Sequence, residues 1–142
     1  MSEPLVVRAF EPADTEGVVA LWDRCGLTRP WNDPRKDIAR KLAVQADLFL
    51  IATCGGDVIA TVMAGYDGHR GWINYLAVDP ARRRAGLGRR LMNEAEARLR
   101  ALGCPKINLQ VRADNRDAIA FYEHMGYAVD DTVSLGKRLE HD

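Results

Sequence analysis

The sequence has 142 residues, which suits one domain, and 20 Lys plus Arg balance 20 Asp plus Glu to a net charge of zero. A neutral chain has no general electrostatic pull toward DNA, RNA or anionic lipid, so neither nucleic acid nor membrane is expected as a partner, and any anion site must be local. Hydrophobic residues make up 47%, enough for a sizeable core, and the longest apolar stretches are far too short to span a bilayer. Cys25, Cys54 and Cys104 are odd in number and form no C-x-x-C pair. They fit neither a disulfide framework nor a metal site and read as packing residues, so no metal is expected and a reducing cytoplasm is the natural setting. The opening residues MSEPLVVRAF lack the basic and apolar regions of a signal peptide.

In chain order, residues 5–10 (LVVRAF) read as a strand. Asp14 suits the cap of a helix running to about Cys25, with Val18, Leu21, Trp22 and Cys25 on one face and Gly26 at its end. Asp33 and Pro34 start a second, shorter helix through Ile38, Leu42 and Ala46. Residues 48–53 and 58–66 read as strands joined by Gly55-Gly56-Asp57, and residues 72–78 as another. A long amphipathic helix fits 87–102 with Leu87, Leu91, Ala95, Leu99 and Leu102 as its buried stripe; Gly103 and Pro105 stop it. A strand at 106–111, a helix at about 116–125 capped by Asn115, and two closing strands at Tyr127 to Val129 and Thr132 to Leu139 complete the series. The expectation is one α/β domain over residues 1–142, with a single mixed, mostly antiparallel sheet flanked by helices. The helix at 87–102 would join two parallel strands.

The strongest chemical signal is Val78-Asp79-Pro80-Ala81-Arg82-Arg83-Arg84-Ala85-Gly86-Leu87-Gly88, between an apolar strand and the long helix, with Arg89 and Arg90 following. A helix N-terminus offers unpartnered backbone N–H groups and the positive end of a dipole. Gly86 and Gly88 leave room for close approach, and the arginines can neutralise phosphate charge. The same letters also suit a plain tight turn beside a solvated face. Gly-Lys-Ser/Thr is absent, and so is a third glycine at dinucleotide-fold spacing.

With Arg83-Arg84-Ala85-Gly86-Leu87-Gly88, and with Asn115, Ala118 to Glu123 and Met125-Gly126-Tyr127 downstream, the chain resembles the GNAT superfamily of N-acetyltransferases. Arg29 to Pro34, Gly65 to Gly71 and Ser134 to Leu139 extend the resemblance to the small bacterial branch typified by YpeA. The resemblance implies the acyl-CoA N-acyltransferase fold and transfer of an acetyl group from acetyl-CoA to an amine. It places the pantetheine arm along Leu76, Ala77 and Val78, and the pyrophosphate on the backbone of Arg84, Ala85, Gly86, Leu87, Gly88 and Arg89. Arg83 opens that motif, and Asn115 would hydrogen-bond the cofactor arm. A bulge in the 72–78 strand would aim an N–H at the thioester carbonyl. Tyr122 matches the general acid that protonates the departing thiolate, although it also fits a helical face with Ile119 and Met125 as a core aromatic.

No carboxylate lies in residues 72–78, so a base on that strand is not expected. Asp67 and His69 are candidates for the acceptor side; they also suit a polar hairpin loop. Trp31 and Asn32 are candidates to wall the acceptor pocket; with Asp33-Pro34 they equally read as a hydrophobic anchor and cap. A non-catalytic acyl-CoA-binding module on the same fold is the alternative function, and monomer and homodimer both remain open.

Overall fold

A computed structural model of the chain describes residues 4–142. Its strands are β1 (Leu5–Ala9), β2 (Phe49–Cys54), β3 (Asp57–Tyr66), β4 (Gly71–Val78) and β5 (Ile107–Leu109), in one sheet of order β1-β2-β3-β4-β5. The first four are antiparallel neighbours and β5 runs parallel to β4. The helices are α1 (Thr15–Arg24), α2 (Pro34–Leu42), α3 (Leu87–Ala101) and α4 (Arg116–His124). The parallel pair follows from α3: a chain leaving the end of β4 needs a helix-length return before it can run in the same direction again. This is the mixed, mostly antiparallel sheet expected from the sequence.

The sheet is covered on both faces. Phe49, Ile51, Val58 and Met63 meet Val18, Leu21 and Trp22 of α1 and Ile38 of α2. Leu50, Ala52, Ile59 and Val62 meet Leu87, Leu91, Met92, Ala95 and Leu99 of α3. Burial on both sides is why β2 reads as a continuous apolar run rather than an alternation.

Beyond the shortening of the strand expected at 106–111 to Ile107–Leu109, four features differ from the sequence reading. Helix α2 stops at Leu42 instead of reaching Ala46, because Gln45 takes a left-handed conformation (φ 54°). Its side-chain amide then pairs with both backbone groups of Tyr66, donating to the carbonyl at 3.0 Å and accepting from the N–H at 2.8 Å. Leu102 ends α3 half exposed, outside the buried stripe. Asp14 precedes α1, but its carboxylate accepts from Arg8 at 2.8 and 2.9 Å and from the Glu11 N–H, so it does not cap that helix.

The fourth difference is larger. No strand forms at Tyr127 to Val129 or Thr132 to Leu139, and Val129, Val133, Leu135 and Leu139 are exposed. Apolar alternation makes a strand only where a ladder partner and a covering layer both exist. Here β5 is three residues long. The tail reaches it through the side-chain pairs Lys106–Asp130 (2.8 Å) and Gln110–Ser134, across a cavity of about 1580 Å³. The chain's far end is held elsewhere. The Asp142 carboxylate, 1% exposed, accepts from the Asp33 N–H at 2.8 Å and from Arg40 at 2.6 Å.

Candidate active site

The sheet opens in the middle of β4. Pairing with β5 covers only Gly71↔Ile107, Trp72↔Asn108 and Ile73↔Leu109. At the closed end the packing is tight: a Cβ on Gly71 would stand 2.9 Å from Cys104 Sγ and 3.2 Å from Ile107 Cγ1. Past Ile73 the strands part, and among the described residues no strand pairs with the outer edge of Leu76, Ala77 and Val78. An unpaired edge of this kind accepts an extended amide-bearing chain as an added strand.

The opening coincides with a bulge. The register passes from Thr61↔Ala77 to Met63↔Asn74, so two residues of β4, Tyr75 and Leu76, stand opposite Val62. Tyr75 has φ 51°, a left-handed value that costs a non-glycine residue of order 1–3 kcal/mol. The extra residue resets the alternation. Ile73 and Leu76, three apart, both pack with the α3 layer, while Tyr75 turns to the α1 layer and stacks on Trp22 at 3.8 Å between ring centroids. Several contacts hold the strained residue. Its carbonyl accepts from Thr61 Oγ1 at 2.8 Å, and its hydroxyl donates to Asp37 Oδ2 at 2.6 Å and accepts from Asn32 Nδ2 at 2.9 Å. Burial, then the adjoining Asp37 carboxylate, raises the Tyr75 pKa, so the hydroxyl stays protonated.

At the end of β4 the chain turns into α3 through Arg83, Arg84, Ala85 and Gly86. Arg84 (φ 71°) and Gly86 (φ 78°) are both left-handed, and backbone of this curl gathers successive N–H groups into an anion-binding concavity. Gly86 is the N-cap residue of α3 and offers no side-chain cap, leaving the helix N–H groups open. A Cβ at Gly86 would touch nothing within 4 Å, so this glycine serves backbone conformation. Gly88 serves packing: a Cβ there would lie 3.2 Å from Phe121 Cζ of α4. Gly88 thereby seats α4 against α3. Leu87 is buried beneath the turn, and Ala85 is exposed. Arg83, Arg84, Arg89 and Arg90 are exposed and make no ion pair among the described residues, so their charge is available to a phosphate group.

Helix α4 supplies Asn115 and Tyr122. Asn115 caps it, accepting from the Ala118 N–H at 3.2 Å. Tyr122 stands edge-on to Phe121 and Tyr127, and burial raises its pKa to about 12, so its phenol carries a proton at neutral pH. The end of β4 and the starts of α3 and α4 come together at Gly88, where an added Cβ would meet Phe121 at 3.2 Å and Val78 at 3.7 Å.

On the opposite layer, Asn32 lies beside Tyr75 and donates to Asp37 at 2.5 Å, while Trp31 next to it is 56% exposed. Asp33 caps α2 by accepting from the Arg35 N–H at 2.9 Å. Asp67 and His69 occupy the β3–β4 hairpin tip, before the closed end of β4. Five residue steps take the chain from Gly71 to Leu76, at most roughly 17 Å along a strand. The Asp67 carboxylate accepts from the His69 and Arg70 N–H groups and from Trp72 Nε1, the bonding of a turn former. Sequence reasoning passed over Thr61, Tyr75 and Asp37. Two signals point to the first pair: a lone hydroxyl inside the apolar run VIATVMAG must find partners when buried, and Ile73 and Leu76 break the period of two.

A sheet split over an unpaired strand edge, with an open helix N-terminus at its mouth, defines the acyl-CoA N-acyltransferase architecture. The chain belongs to the acetyltransferase (GNAT) family, which it matches over residues 15–127, and it is an acetyltransferase. Among solved structures it is similar to Ard1 from Thermoplasma volcanium, with 28% identity, 89% of this chain and 84% of that chain covered, and a TM-score of 0.78. It is also similar to the ribosomal-protein-S18-alanine N-acetyltransferase from Escherichia coli, with 27% identity, 87% and 77% covered, and a TM-score of 0.72. PaiA N-acetyltransferase from Thermoplasma acidophilum, solved in complex with coenzyme A, shares the fold at 19% identity, with 92% and 93% covered and a TM-score of 0.78. Members of this family use acetyl-CoA. Among the described residues no group of three His, Cys, Asp or Glu side chains could hold a metal ion, and no helix is long and apolar enough to cross a membrane.

Proposed function

We propose that this chain transfers the acetyl group of acetyl-CoA to a primary amine by direct attack on the thioester. The observation that carries the reading is the coincidence of the β4 bulge with the point where β4 and β5 part, in line with the open N-terminus of α3. The residues fit the co-substrate. The Arg84 to Arg89 backbone, with Gly86 left-handed and uncrowded, suits a pyrophosphate, and Arg83 adds charge. The free edge of Leu76, Ala77 and Val78 suits the amides of a pantetheine arm, and Asn115, while capping α4 through its Oδ1, keeps an amide N–H to offer that arm.

The bound co-substrate supplies an activated acyl group. As the amine nitrogen bonds to the acyl carbon, negative charge moves to the carbonyl oxygen, where the Leu76 N–H acts as donor. The carbon–sulfur bond then breaks and sulfur leaves as a thiolate. The new amide nitrogen sheds its extra proton to water, while Tyr122, protonated at neutral pH, donates its phenolic proton to the thiolate and regains one from solvent. The amine enters from the α1–α2 side, past Trp31 and Asn32. The segments Arg29 to Pro34, Gly65 to Gly71 and Ser134 to Leu139 support placing the chain in the YpeA-type branch. The reading takes residues 1–142 as one cytoplasmic catalytic domain, monomeric or homodimeric.

The test is a calorimetric titration of acetyl-CoA into wild-type protein and into a Gly86→Glu variant, whose new side chain meets no packed neighbour. Micromolar binding lost in the variant supports the reading, and a screen of small-molecule and peptide amines then identifies the acceptor. No binding by folded wild-type protein overturns it.

A further inference from the structure

Thr61 lies at the centre of β3, wholly buried, and among the described residues its hydroxyl has two hydrogen-bond partners. The Trp22 indole N–H donates to Thr61 Oγ1 at 2.9 Å, and Thr61 Oγ1 lies 2.8 Å from the Tyr75 carbonyl. An indole can only donate and a carbonyl can only accept, so the threonine proton must point at Tyr75. A buried relay of this kind is fully satisfied and therefore rigid. It ends on the one β4 residue that is both bulged and left-handed.

The peptide that follows Tyr75 is trans, since no peptide bond among the described residues is cis. In a trans peptide the carbonyl and the next N–H point in opposite directions. Fixing the Tyr75 carbonyl toward Thr61 and the α1 layer therefore sends the Leu76 N–H the other way, toward the opening beside β5. The far end of the same residue is fixed as well: its ring stacks on Trp22, and its hydroxyl is held by Asp37 and Asn32. Tyr75 is thus clamped at carbonyl, ring and hydroxyl, and the direction of the Leu76 N–H follows from the clamp.

We propose that Thr61, oriented by Trp22, is a positioning residue for acyl transfer, and that with the Asp37–Asn32 anchor on the Tyr75 hydroxyl it aims the Leu76 N–H at the thioester carbonyl. The inference rests on the proposed function and adds Thr61 of β3, Trp22 of α1 and Asp37 of α2, which lie outside the proposed co-substrate contacts and amine path. It separates two jobs. The glycine turn decides how tightly the co-substrate is held, and the Thr61 relay decides how strongly its carbonyl is polarised.

The experiment is difference infrared spectroscopy of [1-13C]acetyl-CoA bound to wild type, Thr61→Val, Thr61→Ser and Tyr75→Phe, beside calorimetry with unlabelled acetyl-CoA. Valine matches threonine in shape and lacks the donor; serine restores it. The wild-type carbonyl band should move to lower frequency than in free acetyl-CoA. Thr61→Val should lose most of that movement with acetyl-CoA affinity within about threefold of wild type, Thr61→Ser should keep it, and Tyr75→Phe should lose part of it. Once an acceptor is known, Thr61→Val should lower kcat by about 10- to 100-fold at unchanged KM for acetyl-CoA, somewhat less than deletion of an oxyanion donor. A wild-type band equal to that of free acetyl-CoA, or a Thr61→Val band equal to wild type, overturns the inference and leaves the proposed function standing. If Thr61→Val does not fold, an unchanged band in Tyr75→Phe overturns it equally. Failure of wild type to bind acetyl-CoA overturns both.

Discussion

Gly88 at the start of α3 and Phe121 of α4 approach so closely that a Cβ on residue 88 would stand 3.2 Å from Phe121 Cζ. The contact couples the turn proposed to hold phosphate to the helix carrying Tyr122, the residue after Phe121. Alanine in a helix normally gains about 1 kcal/mol over glycine, but here the gain is offset by the crowded ring. Gly88→Ala is therefore expected to change Tm by only a few degrees while lowering kcat about tenfold through displacement of Tyr122. Gly86→Ala is expected to behave differently. Its Cβ meets nothing, and its left-handed backbone costs about 1 kcal/mol, which lowers Tm by about 4 °C. Calorimetric melting and steady-state kinetics on the two variants separate packing from backbone conformation.

The arginines around the turn, without an ion pair among the described residues, are expected to make acetyl-CoA affinity depend on ionic strength. An Arg84→Ala, Arg89→Ala double variant is expected to bind about tenfold more weakly at low salt, equivalent to about 1.4 kcal/mol from two exposed charges. The difference should shrink as salt rises, because exposed charges are screened within about 3 Å at 1 M. A difference that persists unchanged at high salt would assign the loss to shape instead.

Tyr122 is buried enough to raise its pKa to about 12. A raised phenol pKa keeps the acid form populated, so the alkaline limb of kcat should show no loss from Tyr122 up to about pH 10, where an ordinary tyrosine titrates. Tyr122→Phe is expected to lower kcat by about 10²- to 10⁴-fold, the usual worth of a positioned acid, with acetyl-CoA affinity nearly unchanged. Comparable kinetics in the two proteins would leave Tyr122 as a core aromatic.

The β3–β4 hairpin tests the acceptor side. Asp67 has a lowered pKa, caused first by the Arg70 N–H and then by the His69 N–H. Asp67→Ala should therefore loosen the loop, seen as faster amide exchange at residues 68–70. If the pair also selects or deprotonates the amine, His69→Ala and Asp67→Ala will lower kcat/KM and shift its pH profile. An unchanged profile confines both to the turn.

Asp142 ties the end of the tail to α2, and its carboxyl is held well below the usual carboxylate range, first by Arg40 and then by the Asp33 N–H. A depressed folded-state pKa contributes stability above the unfolded value of about 3.9, and that stability is lost as pH falls through the folded-state value. Asp142→Asn is expected to melt below wild type at neutral pH, with the gap closing as pH falls below about 4. A gap that stays constant into strong acid would rule out the ion pair as its source.

The order of elements was legible because each carries its own local signal. Asp33-Pro34 starts α2, Asn115 starts α4, and the four-residue apolar spacing of Leu87, Leu91, Ala95 and Leu99 marks α3. The open helix N-terminus was legible for the same reason, since Gly86 and the surrounding arginines are neighbours along the chain. The closing strands misled because alternation at Thr132 to Leu139 is also local, whereas a strand needs a partner that the short β5 does not supply.

Neighbouring residues were enough to indicate the class of fold, the turn proposed to bind phosphate and the candidate acid, because those depend on residues within a few positions of one another. Tertiary structure alone decided the rest. It set where β4 and β5 part, placed Thr61 and Trp22, 39 residues apart, behind the Tyr75 carbonyl, and brought Asp37 to a hydroxyl 38 residues away. Those contacts join separate elements across a packed sheet, and hydrogen-bond direction between them exists only once β3, β4, α1 and α2 are in register.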